Sequence, residues 1–313
     1  MQASSLFYII ISILIVSFIV DKMINILNEG YFDKKIPEKL KDIYNHDTYE
    51  KSQAYKKTSA KFSNNSSLIS IILTVTFFLI EGFAYLDRFA RSFSEHPILI
   101  ALIFFGVIIS VSEIITTPLS YYKTFVIEEK FGFNTSSKQI FWIDKIKGLL
   151  MSLVLGGGIL SIVIWFYLLT GSDFWIYSWV LVASFSLFLN MFYAKLIVPL
   201  FNKQTPLENG VLKSAIEDYS EKVGFTIHNI FIIDGSKRST KANAYFSGFG
   251  SQKRITLYDT LIHELDTDEI IAVLAHEVGH YKKNHIIFNM ITSVLLSGLT
   301  LYILSFFINS PLL

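Results

Sequence analysis

Polar and apolar positions along this chain fall into long blocks. Six apolar runs lie near residues 6–27, 68–86, 97–120, 148–169, 174–199 and 286–308, each bounded by charges, Pro or turn residues. A helix rises ~1.5 Å per residue, so roughly 20 such residues cross the ~30 Å core of a bilayer. Six transmembrane helices are therefore predicted. The first run has no Lys or Arg before it, so it lacks the basic n-region of a cleavable signal and reads as a retained span. Only Thr170, Gly171, Ser172, Asp173 and Phe174 join the fourth and fifth runs, which predicts an antiparallel hairpin of long helices. Gly156, Gly157 and Gly158 mark either a bend or close backbone approach in the fourth run, or merely a weak helical stretch. Glu81 and Glu113 fall inside apolar runs, where a carboxylate must find a hydrogen-bonding partner or face a watery interior.

Between the fifth and sixth runs the pattern becomes that of a soluble α+β module. Residues 207–223 have helical period and end at Gly224, a plausible C-terminal cap. Short strands are predicted over 229–233, 242–249 and 255–258, separated by turns rich in Gly and Ser. A helix follows over about 267–285, with Asp266 at its N-cap, Glu269 three residues on, and Lys282 and Lys283 at its negative end. Ile270, Ile271, Val273 and Leu274 supply its packing face.

Composition supports a membrane protein: 52% of residues are hydrophobic, 28 are Phe, and the mean hydropathy is +0.47. A net charge of +1 offers no basic footprint, so no nucleic-acid partner is expected. Charge position says more, because residues 21–67, 121–147 and 200–285 hold 24 of the 27 Lys and Arg. The positive-inside rule places these segments in the cytoplasm and the N-terminus outside. The membrane would be the inner membrane in a bacterium or the endoplasmic reticulum in a eukaryote. With no Cys, any metal site must use His, Asp or Glu.

His276-Glu277-Val278-Gly279-His280 has the H-E-x-x-H pattern. On a helix, residues i and i+4 share a face, so both imidazoles can reach one zinc ion at about 2.0–2.1 Å. Glu277, about 100° around, is placed to take a proton from water and not to ligate. Gly279 leaves room for another element to pack closely. The competing reading is two solvated helix-end histidines. His285 lies five residues past His280, about 140° around on a continuous helix, which makes it a second-layer or merely polar residue. The sixth position, where a metzincin has its third His, is Ile286. His46, His96, His228 and His263 are isolated and read as ordinary polar residues. Asn243, Ala244 and Tyr245 precede a Gly-rich turn and the zinc helix; they form either a bare edge strand able to hold an extended substrate or a plain hairpin strand.

The expected fold is mainly α, a multi-pass transmembrane helical bundle or barrel with a small cytoplasmic α+β zinc-peptidase domain. The bundle is expected over 1–199, the domain over 200–285 and the sixth span within 286–313. The chain resembles the type-one CAAX prenyl proteases in YKTFVIEEKFGFN (122–134), PLFN (199–202), DGSKRS (234–239), NAYF (243–246), DTL (259–261) and AVLAHEVGHYKKNH (272–285). The resemblance implies a helical barrel around a water-filled chamber and prenylated substrates ending in a CAAX box. It also implies His276 and His280 as ligands of one Zn²⁺, Glu277 as general base, and Asn243 with Ala244 in a substrate-aligning strand. Such enzymes have a third, Glu ligand beyond a further span, whereas residues 281–313 contain no Asp or Glu. A missing C-terminal segment or a partner chain is expected to supply it. The leading function is zinc-dependent endoproteolysis of prenylated or other membrane-associated polypeptides; the alternative is a catalytically incomplete fragment acting as a membrane scaffold. A transporter would show inverted repeats, and no such internal symmetry is visible.

Overall fold

The structure, a computed structural model, describes residues 3–32, 35–38, 41–43, 45–225, 229–248 and 253–308. His228 and Phe249, at the end of the second predicted strand, lie outside the described residues. The chain divides into two compact units, one reaching residue 132 and including Leu149–Ser161, the other comprising Phe133–Gly148 and Ile162–Ile308.

In the first unit, α1 (Ala3–Glu29) packs against α2 (His46–Leu79). Phe7 meets Phe78 edge-on at 6.2 Å, and Asn64 donates to Glu29. The polar half of α2 was expected to be loop, yet it is helical. Nothing between 46 and 79 is Gly or Pro, and Asn45 caps the start by accepting from the Asp47 amide at 2.9 Å. The helix stops where Glu81 turns left-handed with φ 55°, so Glu81 is a turn residue and not a charge within a span. Then α3 (Gly82–Arg91) leads to α4 (Pro97–Tyr122), which continues into π-helix over Lys123–Glu128. A second π-helical turn, Ser152–Gly156, separates α5 (Lys138–Met151) from α6 (Gly157–Thr170) at the glycine triplet. A Cβ on Gly157 would come within 3.3 Å of the Leu102 side chain, while one on Gly156 or Gly158 would meet nothing within 4 Å among the described residues, so the triplet coincides with the π-helical turn and not with a close approach of two backbones.

In the second unit, a 3-10 turn at Gly171–Asp173 connects α6 to α7 (Phe174–Leu196). The aromatic contacts between these helices gather at the turn, Tyr167 with Phe174 at 5.5 Å and Phe166 with Tyr177 at 5.7 Å. Farther along, α7 packs on α12 (His285–Ile308), where Trp179 Nε1 donates to the Val294 carbonyl at 2.7 Å. By length and composition, five helical stretches among the described residues can cross a membrane, and one of them, Lys138–Phe201, contains both the fourth and fifth predicted runs. Six runs become five stretches because helical backbone continues through Gly171–Asp173. Their most apolar windows bury almost nothing inside the chain, at most 6%, as expected of helices solvated by lipid.

After α8 (Val198–Phe201) comes the small sheet, built from β1 (Gln204–Pro206), β2 (Ile230–Ile233), β3 (Ala244–Ser247) and β4 (Arg254–Tyr258) in the order β1-β2-β4-β3. Strands β2 and β4 are parallel and the outer pairings antiparallel. Between β1 and β2 lies α9 (Val211–Lys222); α10 (Asp259–Glu264) and α11 (Thr267–Lys282) follow β4. Ile216 of α9, Ile255 and Leu257 of β4, and Ile270 and Leu274 of α11 close one core. That core fixes the rotation of α11.

Candidate active site

The predicted capping box is present on α11. Asp266 accepts from the Glu269 amide at 3.1 Å, and the Asp266 amide donates back to Glu269 at 3.0 Å. Ile270, Leu274 and Val278 are buried on one stripe, so residues two positions further on face away from it. His276 and His280 are accordingly exposed, and Glu277, between the two faces, is half-buried. The Nε2 atoms of His276 and His280 lie 3.0 Å apart. Two nitrogens bound at 2.0–2.1 Å in a tetrahedron are separated by about 3.3 Å, so donor type and spacing fit two positions of a zinc site. Among the described residues no group of three or more His, Asp or Glu side chains forms a metal cage.

His285 is not where a continuous helix would put it. Helix α11 ends at Lys282, and Asn284 adopts φ 56° before α12 begins at His285. This left-handed turn brings His285 back onto its neighbour, with Nδ1 of His285 2.8 Å from Nδ1 of His280 and ring centroids 5.0 Å apart. His285 thus meets the ring nitrogen of His280 that faces away from His276. Gly279 is exposed, and an added Cβ would meet nothing within 4 Å among the described residues, so none of these is the close neighbour its small size suggested.

Strand β3 packs on α11 and is an edge strand, its outer side carrying no partner strand among the described residues. Asn243 precedes it, with its carbonyl accepting from Tyr258 N at 3.0 Å and its side-chain oxygen from Ala244 N at 2.9 Å. Ala244 is buried in the core, while Tyr245 packs toward Ala194, Val198 and Ile233. Burial raises the Tyr245 phenol above its ordinary pKa. At the far end of β3 a cavity of about 350 Å³ opens between Tyr245–Gly248, Leu189 and Tyr193 of α7, and Ile286 of α12.

A polar cluster at the ends of β2 and β4 was not singled out from sequence. Arg238 makes a two-pronged pair with Asp144, at 2.6 and 2.8 Å, and donates to the Phe201 carbonyl at 2.9 Å. The bond to Asp144 raises the Arg238 pKa, against a smaller opposing effect of burial. Asn202 donates to Asp234 at 3.0 Å, Thr135 to the Ser236 carbonyl at 2.6 Å, and Ser236 to Asp259. Burial pushes the Asp259 carboxyl up, but bonds from Ser236 and the Thr260 amide outweigh it and hold the carboxyl below its usual range. The stretches containing Asn134, Asn202, Arg238 and Asp259 therefore meet in one place, and only their shared membership in the family-like motifs could have hinted at this.

A small mixed sheet carrying a helix-borne H-E-x-x-H pair, in a chain of membrane-length helices, defines the class as integral-membrane metallopeptidase-like. Residues 30–203 match the family described as CAAX prenyl protease N-terminal, five membrane helices, and residues 206–310 match peptidase family M48. The chain belongs to the CAAX prenyl protease branch of peptidase family M48, a membership that implies a metal. It is 38% identical over 270 residues to CAAX prenyl protease 1 of Saccharomyces cerevisiae, covering 83% of this chain and 59% of that protein. It is 36% identical over 282 residues to a CAAX prenyl protease 1 homolog of Dictyostelium discoideum, covering 88% and 66%. The crystal structure of S. mikatae Ste24p superposes with a TM-score of 0.88 at 38% identity, covering 94% of this chain and 71% of that one. The chain thus spans roughly three-fifths to two-thirds of the length of these curated relatives.

Proposed function

We propose that this chain forms the membrane-embedded part of a zinc endopeptidase that cleaves prenylated CAAX-box or other membrane-associated polypeptides. The observation that carries this reading is the 3.0 Å approach of the His276 and His280 Nε2 atoms beside Glu277 on a capped, core-anchored helix. His276 and His280 would hold one Zn²⁺, which would supply a Lewis acid able to polarise a carbonyl and acidify water. Glu277 takes the proton of the attacking water and passes it to the leaving amine. Asn243, Ala244 and Tyr245 present the free edge of β3 to an extended substrate, and the adjoining cavity suits an apolar substituent on it. His285 holds the His280 ring with its proton on Nδ1, leaving Nε2 for the metal. A third ligand comes from beyond the described residues, as a further segment or a partner chain.

The Lys and Arg distribution supports a cytoplasmic position for 200–285 and an external N-terminus. A reporter inserted after Asn209 tests this, and its export would reverse the orientation. For the chemistry, Glu277→Gln in the native membrane is expected to abolish cleavage of a prenylated CAAX peptide with metal content unchanged. Loss of the metal together with activity would make Glu277 a ligand and overturn its assigned role.

A further inference from the structure

The first unit contains a cavity of about 480 Å³ between α2 and the end of α4, far in sequence from the H-E-x-x-H helix. Lys57, Lys61 and Asn65 follow one another at i, i+4 along one exposed stripe of α2, with Thr58 and Phe62 on the adjacent stripe. Across the cavity Tyr122 stacks on Phe62, with centroids 5.6 Å apart and ring planes inclined by 19°. Both walls change character at this height. Helix α2 is polar up to Ser67 and strongly apolar from Leu68 to Leu79, and α4 is apolar up to Tyr122, after which Lys123 opens the charged π-helical segment. Tyr122 stands beside Phe62, within two helical turns of the switch in α2 at Leu68, so the two changes together mark the boundary region between hydrocarbon and headgroups, where Tyr is also enriched. The acid nearest in sequence on the facing segment, Glu128, accepts from Tyr55 at 2.6 Å, three residues before Thr58.

We propose that this cavity binds the headgroup phosphate of an anionic glycerophospholipid. Lys57 and Lys61 supply the charge and Asn65 a hydrogen-bond donor, Thr58 lines the wall with its hydroxyl donated to the Ala54 carbonyl at 2.8 Å, and the Phe62–Tyr122 stack lies against the glycerol and upper acyl region. The site holds a lipid and not a soluble anion, because its apolar side continues onto the lipid-facing surface of α2 and α4, where Leu68 and Ile69 are exposed. A basic pocket between membrane helices at headgroup level is a recurrent solution for anionic lipids.

The test is native mass spectrometry of the purified chain in detergent, titrated with phosphatidylglycerol or phosphatidylcholine. Wild type is expected to retain phosphatidylglycerol preferentially. Lys57→Gln and Lys61→Gln should each weaken retention roughly five-fold, the effect of about one interfacial basic residue. Lys56→Gln removes the same charge about 100° around the helix, and should change retention less than two-fold. Equal weakening by Lys56→Gln would reduce the effect to a diffuse basic field and overturn the site, as would unchanged retention in the Lys57 and Lys61 variants. Displacement of the lipid by millimolar inorganic phosphate would make this a free-anion pocket and overturn the lipid assignment.

Discussion

Replacing His285 by Ala tests how the candidate metal pair is held in place. His280 presents Nε2 to His276 at 3.0 Å and Nδ1 to His285 at 2.8 Å, so one ring is gripped from both ends. A neutral imidazole has one proton, and an Nε2 that binds metal requires that proton on Nδ1, where His285 can accept it. Loss of one hydrogen bond alone costs about 0.5–1.5 kcal/mol. Loss of the orienting partner of a metal-bound His typically weakens affinity 10–100-fold, or about 1.4–2.7 kcal/mol, because the freed ring must also be re-ordered when the metal binds. His285→Ala is therefore expected to lower zinc affinity 10–100-fold, and His285→Asn, which retains a short acceptor, to lower it less. Competition with a chromophoric chelator reads this without reference to catalysis. A His285→Ala variant within two-fold of wild type, alongside a His276→Ala variant that loses zinc, would refute the positioning role.

Asn243→Ala is expected to slow peptide cleavage while leaving zinc binding intact, because it alters the edge of β3 and removes no metal ligand; unchanged kinetics across several peptides would return the segment to a plain strand. Gly298→Ala places a Cβ 2.8 Å from Trp179 Nε1, and the rigid indole must shift, so a loss of about 1–3 kcal/mol in the α7–α12 contact is expected from thermal unfolding in detergent. Asp259 has a lowered folded pKa, so its contribution is complete above the ordinary carboxylate pKa and disappears as pH falls through the lower folded value. The stability gap between wild type and Asp259→Asn should accordingly be widest near neutral pH and close in acid, and a gap independent of pH would contradict the Ser236 and Thr260 bonds to a charged carboxylate.

Signals carried by a few neighbouring residues were legible in the sequence. The capping box of Asp266 and Glu269, the packing stripe of Ile270 and Leu274 and the i, i+4 histidines each depend on residues within one or two helical turns, and the structure has all three. Apolar runs likewise located the membrane helices, since each run alone determines whether a segment can enter lipid. The polar half of α2 was missed because hydropathy reports solvent preference, whereas continuation of a helix depends on the absence of breakers. Strand β1 was missed because it has three residues and includes Pro206, too short for any alternation to register. The Arg238–Asp144 pair joins positions 94 residues apart, and no local pattern says which surfaces will meet.

His285 shows how one residue can invalidate a correct local rule. Counting 100° per residue from His280 is sound only while backbone dihedrals stay helical, and the stretch Tyr281, Lys282, Lys283 contains no Gly or Pro to signal an end. The helix ends at Lys282, and two residues on the chain turns at Asn284, the ordinary residue type that most readily adopts positive φ, with an observed value of 56°. One left-handed residue redirects the chain enough to return His285 to the nitrogen of His280 that the metal does not need. The same turn starts α12 with its first residue in contact with α11, so the start of this membrane helix and the orientation of a candidate ligand share one backbone conformation. Gly at position 284 should preserve that turn, whereas a β-branched residue such as Val, which tolerates positive φ poorly, should weaken zinc binding even though it touches neither histidine. Equal zinc affinity in the Gly and Val variants would separate the turn from the site and leave the His280–His285 contact without a structural cause.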